Sequence, residues 1–132
     1  MDFKKILKNV LYYFIWGMAI GLAVGINNAV HSKENQQINF SNEVHCLAKN
    51  MYHEARGESF EGQLAVGFVT INRMEDSRFP NSICGVVMQG GEAKLNNCHF
   101  SWYCDGESDE INKYLVYTNL LELSFLILSS SH

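Results

Sequence analysis

The stretch Asn50-Met51-Tyr52-His53-Glu54-Ala55-Arg56-Gly57-Glu58 sets two carboxylates four residues apart at the end of a predicted helix. Residues at this spacing share one helix face, so Glu54 and Glu58 are expected to lie side by side. A carboxyl group that is partly buried near a like charge has a raised pKa, which suits a general acid. The same spacing also occurs on exposed helices, where Arg56 and Glu58 would form a surface ion pair. The flanking sequence decides between these two interpretations.

Helical patterns flank this stretch on both sides. On its N-terminal side, Ser41 or Asn42 caps a helix whose apolar residues recur at helical spacing over 44–51. On its C-terminal side, Ser59 caps a second helix, which includes the mostly apolar residues 64–74. A helix with so little polar surface is expected to be the buried central helix of the domain.

The second half of the chain predicts shorter elements. Residues 82–89 predict a short apolar helix, and Ser108 caps a last helix. Aromatic residues between turn signals over 92–106 predict a hairpin or an ordered aromatic loop. The fold class predicted from these elements is α+β, mainly helical, with a single domain over residues 41–132.

The N-terminal segment differs in composition from the rest. Three lysines precede residues 10–30, an apolar run without a charged side chain that is about long enough to span a bilayer. This pattern is typical of a signal peptide or a membrane anchor, which we predict over residues 1–30, leaving open whether it is cleaved. The polar residues that follow predict a linker over 31–40, and the domain would face the outside of the cell.

The four cysteines all lie after the apolar run, as expected for an exported domain. Four cysteines in such a domain indicate two disulfides, with three possible pairings. The rival interpretation is a zinc site, but the last two cysteines are spaced more widely than in most structural zinc sites. We therefore predict disulfides, with neither a metal nor a cofactor. These residues are Cys46, Cys84, Cys98 and Cys104.

The charge of the predicted domain excludes one class of partner. Residues 32–132 carry seven Lys or Arg against thirteen Asp or Glu, a balance of −6. Nucleic-acid binding requires a basic face, so we predict no nucleic-acid partner. Binding to a polysaccharide would have to use hydrogen bonds and aromatic stacking.

Six short segments between Tyr52 and Gly106 carry a more specific signal. They are Tyr52-His53-Glu54-Ala55-Arg56-Gly57-Glu58, Glu61-Gly62-Gln63-Leu64-Ala65-Val66, Thr70-Ile71-Asn72-Arg73, Arg78-Phe79-Pro80-Asn81-Ser82-Ile83-Cys84-Gly85-Val86-Val87, Cys98-His99-Phe100-Ser101-Trp102 and Cys104-Asp105-Gly106. In this order they closely resemble the SleB-type cell wall hydrolase family, which includes spore-cortex-lytic enzymes. The resemblance covers about residues 43–110, and its specificity lies in the ordered set.

The resemblance implies a lysozyme-like domain that acts on the glycan strands of peptidoglycan. Family members cleave between N-acetylmuramic acid and N-acetylglucosamine, typically as lytic transglycosylases that leave a 1,6-anhydro sugar. By the same resemblance, Glu54 is the catalytic acid and base. The residues are consistent with that chemistry, because the leaving oxygen must receive a proton from an acid that stays protonated near neutral pH.

A second carboxylate is optional in this chemistry. A transglycosylase uses the C6 hydroxyl of its own substrate as the nucleophile, whereas an ordinary glycosidase pairs its acid with another carboxylate. The candidates for that second group are Glu58 and Asp105, and each could instead be a structural or substrate-orienting residue.

Five other side chains are candidates for binding substrate. Phe100, Trp102 and Tyr103 could stack on sugar rings, although alternating aromatic residues also commonly form the core. Gln63 and Asn72 are polar residues in or beside an apolar helix, where a buried polar group needs a partner. Either could order the loop around Glu54 or contact an N-acetyl group.

The end of the chain departs from the family pattern. Members usually continue with a Thr-x-Gly-Ala and Tyr-His segment, whereas this chain becomes apolar after Glu122. We therefore predict a C-terminally shortened domain. Two alternatives to the transglycosylase stay open on sequence grounds: a hydrolase that uses water, and a catalytically inactive module that only binds peptidoglycan.

Overall fold

The computed structural model describes residues 3–90 and 98–130, which are mainly helical, as predicted. The chain divides into two units, Met1–Asn39 and Phe40–His132. The helices are α1 (Phe3–Ala55), α2 (Phe60–Glu75), α3 (Ile83–Met88) and α4 (Tyr114–Ser130), with a 3-10 helix at Ser101–Tyr103.

The β component of the predicted class is not found in the part of the chain that the structure describes. The proposed turn at Asn96-Asn97 lies outside the described residues. Beyond it, the aromatic segment forms a 3-10 helix instead of a strand. A disulfide between Cys98 and Cys104 closes this segment into a compact loop. The side chain of Trp102, which belongs to this loop, is buried in the core. Over residues 98–106, the described part of this range, the structure therefore agrees with the ordered aromatic loop.

The first unit consists of the N-terminal part of α1. Its described large apolar side chains are all more than half exposed, from Leu11 at 63% to Val30 at 59%. Among the described residues, no helix has the length and apolar content that crossing a membrane requires. The prediction of a signal peptide or membrane anchor is thus not supported. Three glycines, two tyrosines and the Asn27-Asn28 pair interrupt the apolar run of residues 10–30.

Residues 31–42, predicted as a linker followed by the start of a helix, lie within α1 in the structure. Residues 31–40 are helical and mostly exposed, and α1 continues through them without a break. Neither Ser41 nor Asn42 is therefore an N-cap, because the backbone N–H groups at this point are already bonded within a longer helix. The predicted end of the helix at Gly57 agrees with the end of α1 at Ala55.

The core of the second unit is built around the last three turns of α1. Its buried residues recur at helical spacing and face α2, α3, the 3-10 helix and α4. They are Val44, Leu47, Ala48, Met51, Tyr52 and Ala55. This stripe, and not α2, is therefore the centre of the domain.

The expectation that residues 64–74 form the buried central helix is wrong. Helix α2 buries the stripe Gly67, Thr70 and Ile71, while Phe68 and Val69 stay exposed. Gly67 permits close packing, because a Cβ there would lie 3.2 Å from Ile127 Cδ1. The apolar composition of the helix thus overstated its burial. The predicted cap is confirmed, since the Ser59 hydroxyl accepts from the N–H of Gly62.

The last helix begins later than predicted. Ser108 does not cap it, because residues 109–113 are held against α1 in a non-helical conformation. The Tyr52 hydroxyl donates to Asn112 Oδ1 at 2.8 Å and accepts from the N–H of Lys113 at 3.1 Å. The apolar C-terminal segment packs inward only in part, since Ile127 and Leu128 are buried whereas Phe125 and Leu126 are exposed.

Helix α3 is joined to α1 by two kinds of contact. The predicted disulfides are both present, and one of them links Cys46 to Cys84. The Glu43 carboxylate accepts hydrogen bonds from the N–H groups of Ile83 and Cys84 at the N-terminus of α3. A carboxylate there is favourable, because it offsets the partial positive charge of the helix end.

Truncating the core stripe is expected to destabilise the domain. Leu47 is fully buried, so Leu47→Ala removes apolar contacts and leaves a cavity. We expect a loss of about 3 kcal/mol in the free energy of unfolding, measured by denaturant titration. Leu115→Ala is the matched control, since Leu115 is 78% exposed and its loss is expected to cost under about 0.5 kcal/mol. Equal effects of the two variants would contradict the assignment of the core.

Candidate active site

A polar cleft lies at the C-terminal end of α1, within the second unit. It has a volume of about 510 Å³. One wall comes from the last turn of α1 and the residue after it, and the other from the 3-10 helix and the segment that follows. The lining residues are His53, Glu54, Arg56, Ser101, Trp102, Asp105, Glu107, Ser108 and Asp109.

Glu54 is placed in this cleft by the end of α1. Partial burial removes water from its carboxyl group and raises its pKa, while the positive charge of Arg73 acts in the opposite direction. Desolvation disfavours the charged form of a carboxyl group, so Glu54 stays protonated to a higher pH than an exposed glutamate. This property fits the predicted general acid.

The opposite wall is held in place by Trp102. Its ring stacks on the ring of His53, with 4.3 Å between centroids and planes 14° apart, and Lys49 lies 5.2 Å from its centroid. Burial lowers the pKa of His53, against the opposing charge of Asp109, so the stacked imidazole is neutral at neutral pH. One face of Trp102 is therefore occupied by His53.

A buried hydrogen-bond chain connects the two walls. Asn50, which is fully buried, accepts from Trp102 Nε1 at 2.9 Å and donates to Thr70 Oγ1 at 3.0 Å. The Thr70 hydroxyl donates to the Val66 carbonyl at 2.8 Å. This chain joins α1, α2 and the 3-10 helix directly behind the cleft.

The two candidates for a second carboxylate occupy different places. Asp105 lines the cleft with Glu54. Glu58 lies beyond the end of α1, exposed, where its side chain packs near Gly62, and it is not among the residues of the cleft as the structure describes it. The helix ends at Ala55, so the i,i+4 alignment of Glu54 with Glu58 does not form. Of the two candidates, the structure brings only Asp105 together with Glu54.

The remaining candidates for substrate binding lie outside the lining of the cleft. Phe100 is buried in the core, with the Arg73 guanidinium 4.9 Å from its ring centroid, and Tyr103 packs partly against the core. Gln63 Nε2 donates to the Glu58 carbonyl at 3.4 Å, so its amide orders the loop after α1. Asn72 is exposed on α2.

Several residues of the site carried no recognisable signal in the sequence. Asp109 lines the cleft and forms an ion pair with Lys49 at 3.6 Å, although it was expected in the first turn of a helix. Glu107 and Ser108 enter the cleft because residues 105–113 are not helical. The sequence does not show that these residues are non-helical, because Ser108 is a favourable N-cap residue and so predicts that α4 begins there.

Comparison with known proteins identifies the family. The profile of the family described as Cell Wall Hydrolase matches residues 57–122, half of the chain. The chain belongs to this cell wall hydrolase family. The match includes Asp105 and the 3-10 helix and begins three residues after Glu54, so the role of Glu54 remains a prediction. The sequence resemblance to this family is confirmed.

Curated relatives of this chain are spore cortex-lytic enzymes. That of Bacillus subtilis is 45% identical over 49 residues, which is 37% of this chain and 16% of the relative. That of Oceanobacillus iheyensis is 42% identical over 48 residues, 36% of this chain and 17% of the relative. That of Bacillus cereus is 40% identical over 48 residues, which is 36% of this chain and 18% of the relative. The chain thus matches about a sixth of the length of these proteins.

No solved structure matches this chain. The lysozyme-like fold implied by the family resemblance therefore stays a prediction.

Proposed function

We propose that this cell wall hydrolase cleaves the glycan strands of peptidoglycan between N-acetylmuramic acid and N-acetylglucosamine, as a lytic transglycosylase with Glu54 as acid and base. The observation that carries this proposal is the position of Glu54 in a polar cleft at the end of α1, where partial burial raises the pKa of its carboxyl group. Family membership and the names of the spore cortex-lytic relatives support the same substrate.

The proposed reaction needs one carboxyl group in two protonation states. Protonated Glu54 gives its proton to the glycosidic oxygen as the bond from C1 to that oxygen breaks. The C6 hydroxyl of the same muramic acid then bonds to C1, and its proton passes to the Glu54 carboxylate. The products are a 1,6-anhydro end and a free hydroxyl on the leaving sugar, and Glu54 returns to its protonated form.

Substrate binding in this cleft would depend on hydrogen bonds. Carboxylate and hydroxyl groups predominate along the lining, including Ser101, Asp105 and Ser108, and they can bind sugar hydroxyls and amide N–H groups. Little of the Trp102 ring is available to a sugar, because His53 covers one of its faces and the residue is buried. Stacking on sugar rings is consequently a minor part of this proposal.

The proposal includes action outside the cytoplasm. Both disulfides of the chain lie in the second unit, and disulfides persist in oxidising compartments. A peptidoglycan substrate requires the same location. We therefore propose that the domain is exported and acts on the cell wall.

Product analysis tests the proposed reaction. Purified peptidoglycan is incubated with the oxidised full chain, and the muropeptides are analysed by mass spectrometry. Products with 1,6-anhydro ends are expected. Absence of cleavage by a folded, oxidised chain would reject the enzymatic proposal in favour of a module that binds peptidoglycan without cleaving it.

A hydrolase is the second candidate, and the position of Asp105 in the cleft favours it. A second carboxylate opposite the acid could activate water, and the products would then have reducing ends. Asp105→Asn separates the two mechanisms. In a transglycosylase the variant keeps most of its activity, whereas in a hydrolase it loses roughly 10²-fold or more in kcat.

The protonation of Glu54 predicts how the rate of cleavage depends on pH. Because desolvation raises its pKa, the acid form is retained above the ordinary range of a glutamate, and kcat is expected to fall as pH rises through the raised value. The positive charge of Arg73 lowers the pKa of Glu54, so Arg73→Met should raise that pKa. The alkaline limb of the pH profile of kcat, where kcat falls, should then move to higher pH. A limb that stays in place or moves to lower pH would contradict the assignment to Glu54.

A further inference from the structure

We propose that Asn50 is a positioning residue, which sets the distance between Glu54 and the opposite cleft wall through its hydrogen bond to Trp102. This inference rests on the proposed function of Glu54. Asn50 is fully buried and makes no contact with the cleft itself, so it would act through Trp102 and not on the substrate.

The hydrogen bonds of Asn50 fix the orientation of its amide. The indole Nε1 of Trp102 can only donate, so it must face Asn50 Oδ1, at 2.9 Å. The Thr70 hydroxyl gives its proton to the Val66 carbonyl, so it accepts from Asn50 Nδ2 at 3.0 Å. The position therefore requires one acceptor and one donor on a short side chain, which an amide provides and an aliphatic side chain does not.

The location of Asn50 links this requirement to Glu54. The two residues are one turn apart on the same face of α1. Trp102 belongs to the segment that provides the other wall, and its ring is stacked on His53. Stacking sets the separation of the two ring planes, whereas a hydrogen bond is directional, so the bond from Trp102 to Asn50 would fix the position of the indole within its plane.

Kinetics of matched variants test the proposal. Asn50→Leu removes both hydrogen bonds, and we expect kcat on purified peptidoglycan to fall about 10- to 100-fold, with KM within about twofold. Thr70→Val is the matched control, because it removes the partner on α2 and leaves the bond to Trp102. It should lower the midpoint of denaturant unfolding and leave kcat within about twofold. Equal kcat values for the two variants would overturn the proposal.

Two further variants separate positioning from packing. Trp102→Phe keeps an aromatic ring and lacks the N–H, so it should lower kcat as Asn50→Leu does. The double variant should have a kcat no lower than either single variant, since each already removes the bond between Asn50 and Trp102, whereas losses that multiply would overturn the proposal. In Asn50→Asp, a protonated carboxyl group supplies both the acceptor and the donor. Its kcat relative to wild type should therefore rise as pH falls, and a flat ratio would count against the proposal.

A measurement without substrate distinguishes this inference from the proposed function. NMR titration of the Glu54 carboxyl group in the full chain is expected to give a shifted midpoint in Asn50→Leu and an unchanged one in Thr70→Val. Hydrogen exchange of the Trp102 indole N–H should be faster in Asn50→Leu only. An inactive wild type would reject the proposed reaction, whereas unchanged titration and exchange in Asn50→Leu would reject the role of Asn50.

Discussion

Replacing Glu54 by glutamine is expected to lower the rate of glycan cleavage by roughly 10³-fold. The substitution keeps the size and polarity of the side chain and removes the proton that the leaving oxygen must receive. Because Glu54 lines the cleft and is not one of the buried core residues, the folded state should be retained. The measurement is the rate of release of soluble muropeptides from purified peptidoglycan, at a pH where the wild type is most active.

Glu75→Gln is the matched control for this experiment. Glu75 is an exposed carboxylate at the end of α2 and is not among the residues that line the cleft. Its variant should keep activity within about twofold, as expected for a surface substitution. Comparable activity of wild type and Glu54→Gln would show that another group provides the proton, and Asp105 would then be the first candidate.

Removing the disulfide between Cys46 and Cys84 is expected to have the largest effect on stability. Its half-cystines are 38 residues apart, so the bond restricts a long loop in the unfolded chain. Loop-closure entropy for that length predicts a loss of about 4 kcal/mol when both cysteines are replaced by alanine. Denaturant titration of the double variant measures this loss. A loss below about 1 kcal/mol would show that the contacts of Glu43 and the core already hold α3 in place.

The second disulfide provides the comparison. Cys98 and Cys104 are only six residues apart, which predicts a smaller loss of about 2 kcal/mol. This bond closes the segment that carries Trp102, so its removal should reduce cleavage activity more than removal of the first bond does. The two disulfides are thus expected to rank in opposite order for stability and for activity. The same order in both measurements would contradict this division.

The local predictions that succeeded depend on neighbours in the sequence. The Ser59 cap and the short helix over 82–89 are determined within one or two turns. Both disulfides are present, as the cysteine content indicated, but their pairing required the packing of α3 on α1. The predictions that failed concern burial and continuity, such as the central position given to α2 and the cap given to Ser108.

The sequence by itself determined the family, because membership depends on residue identity and order. It also predicted the role of Glu54 and the absence of a nucleic-acid partner. Only the tertiary structure decided which carboxylate accompanies Glu54, since α1 ends before Glu58 and the loop after the 3-10 helix brings in Asp105. It also revealed Asn50, whose partners Thr70 and Trp102 are 20 and 52 residues away. Contacts over such separations arise from packing, which no local pattern in a single sequence specifies.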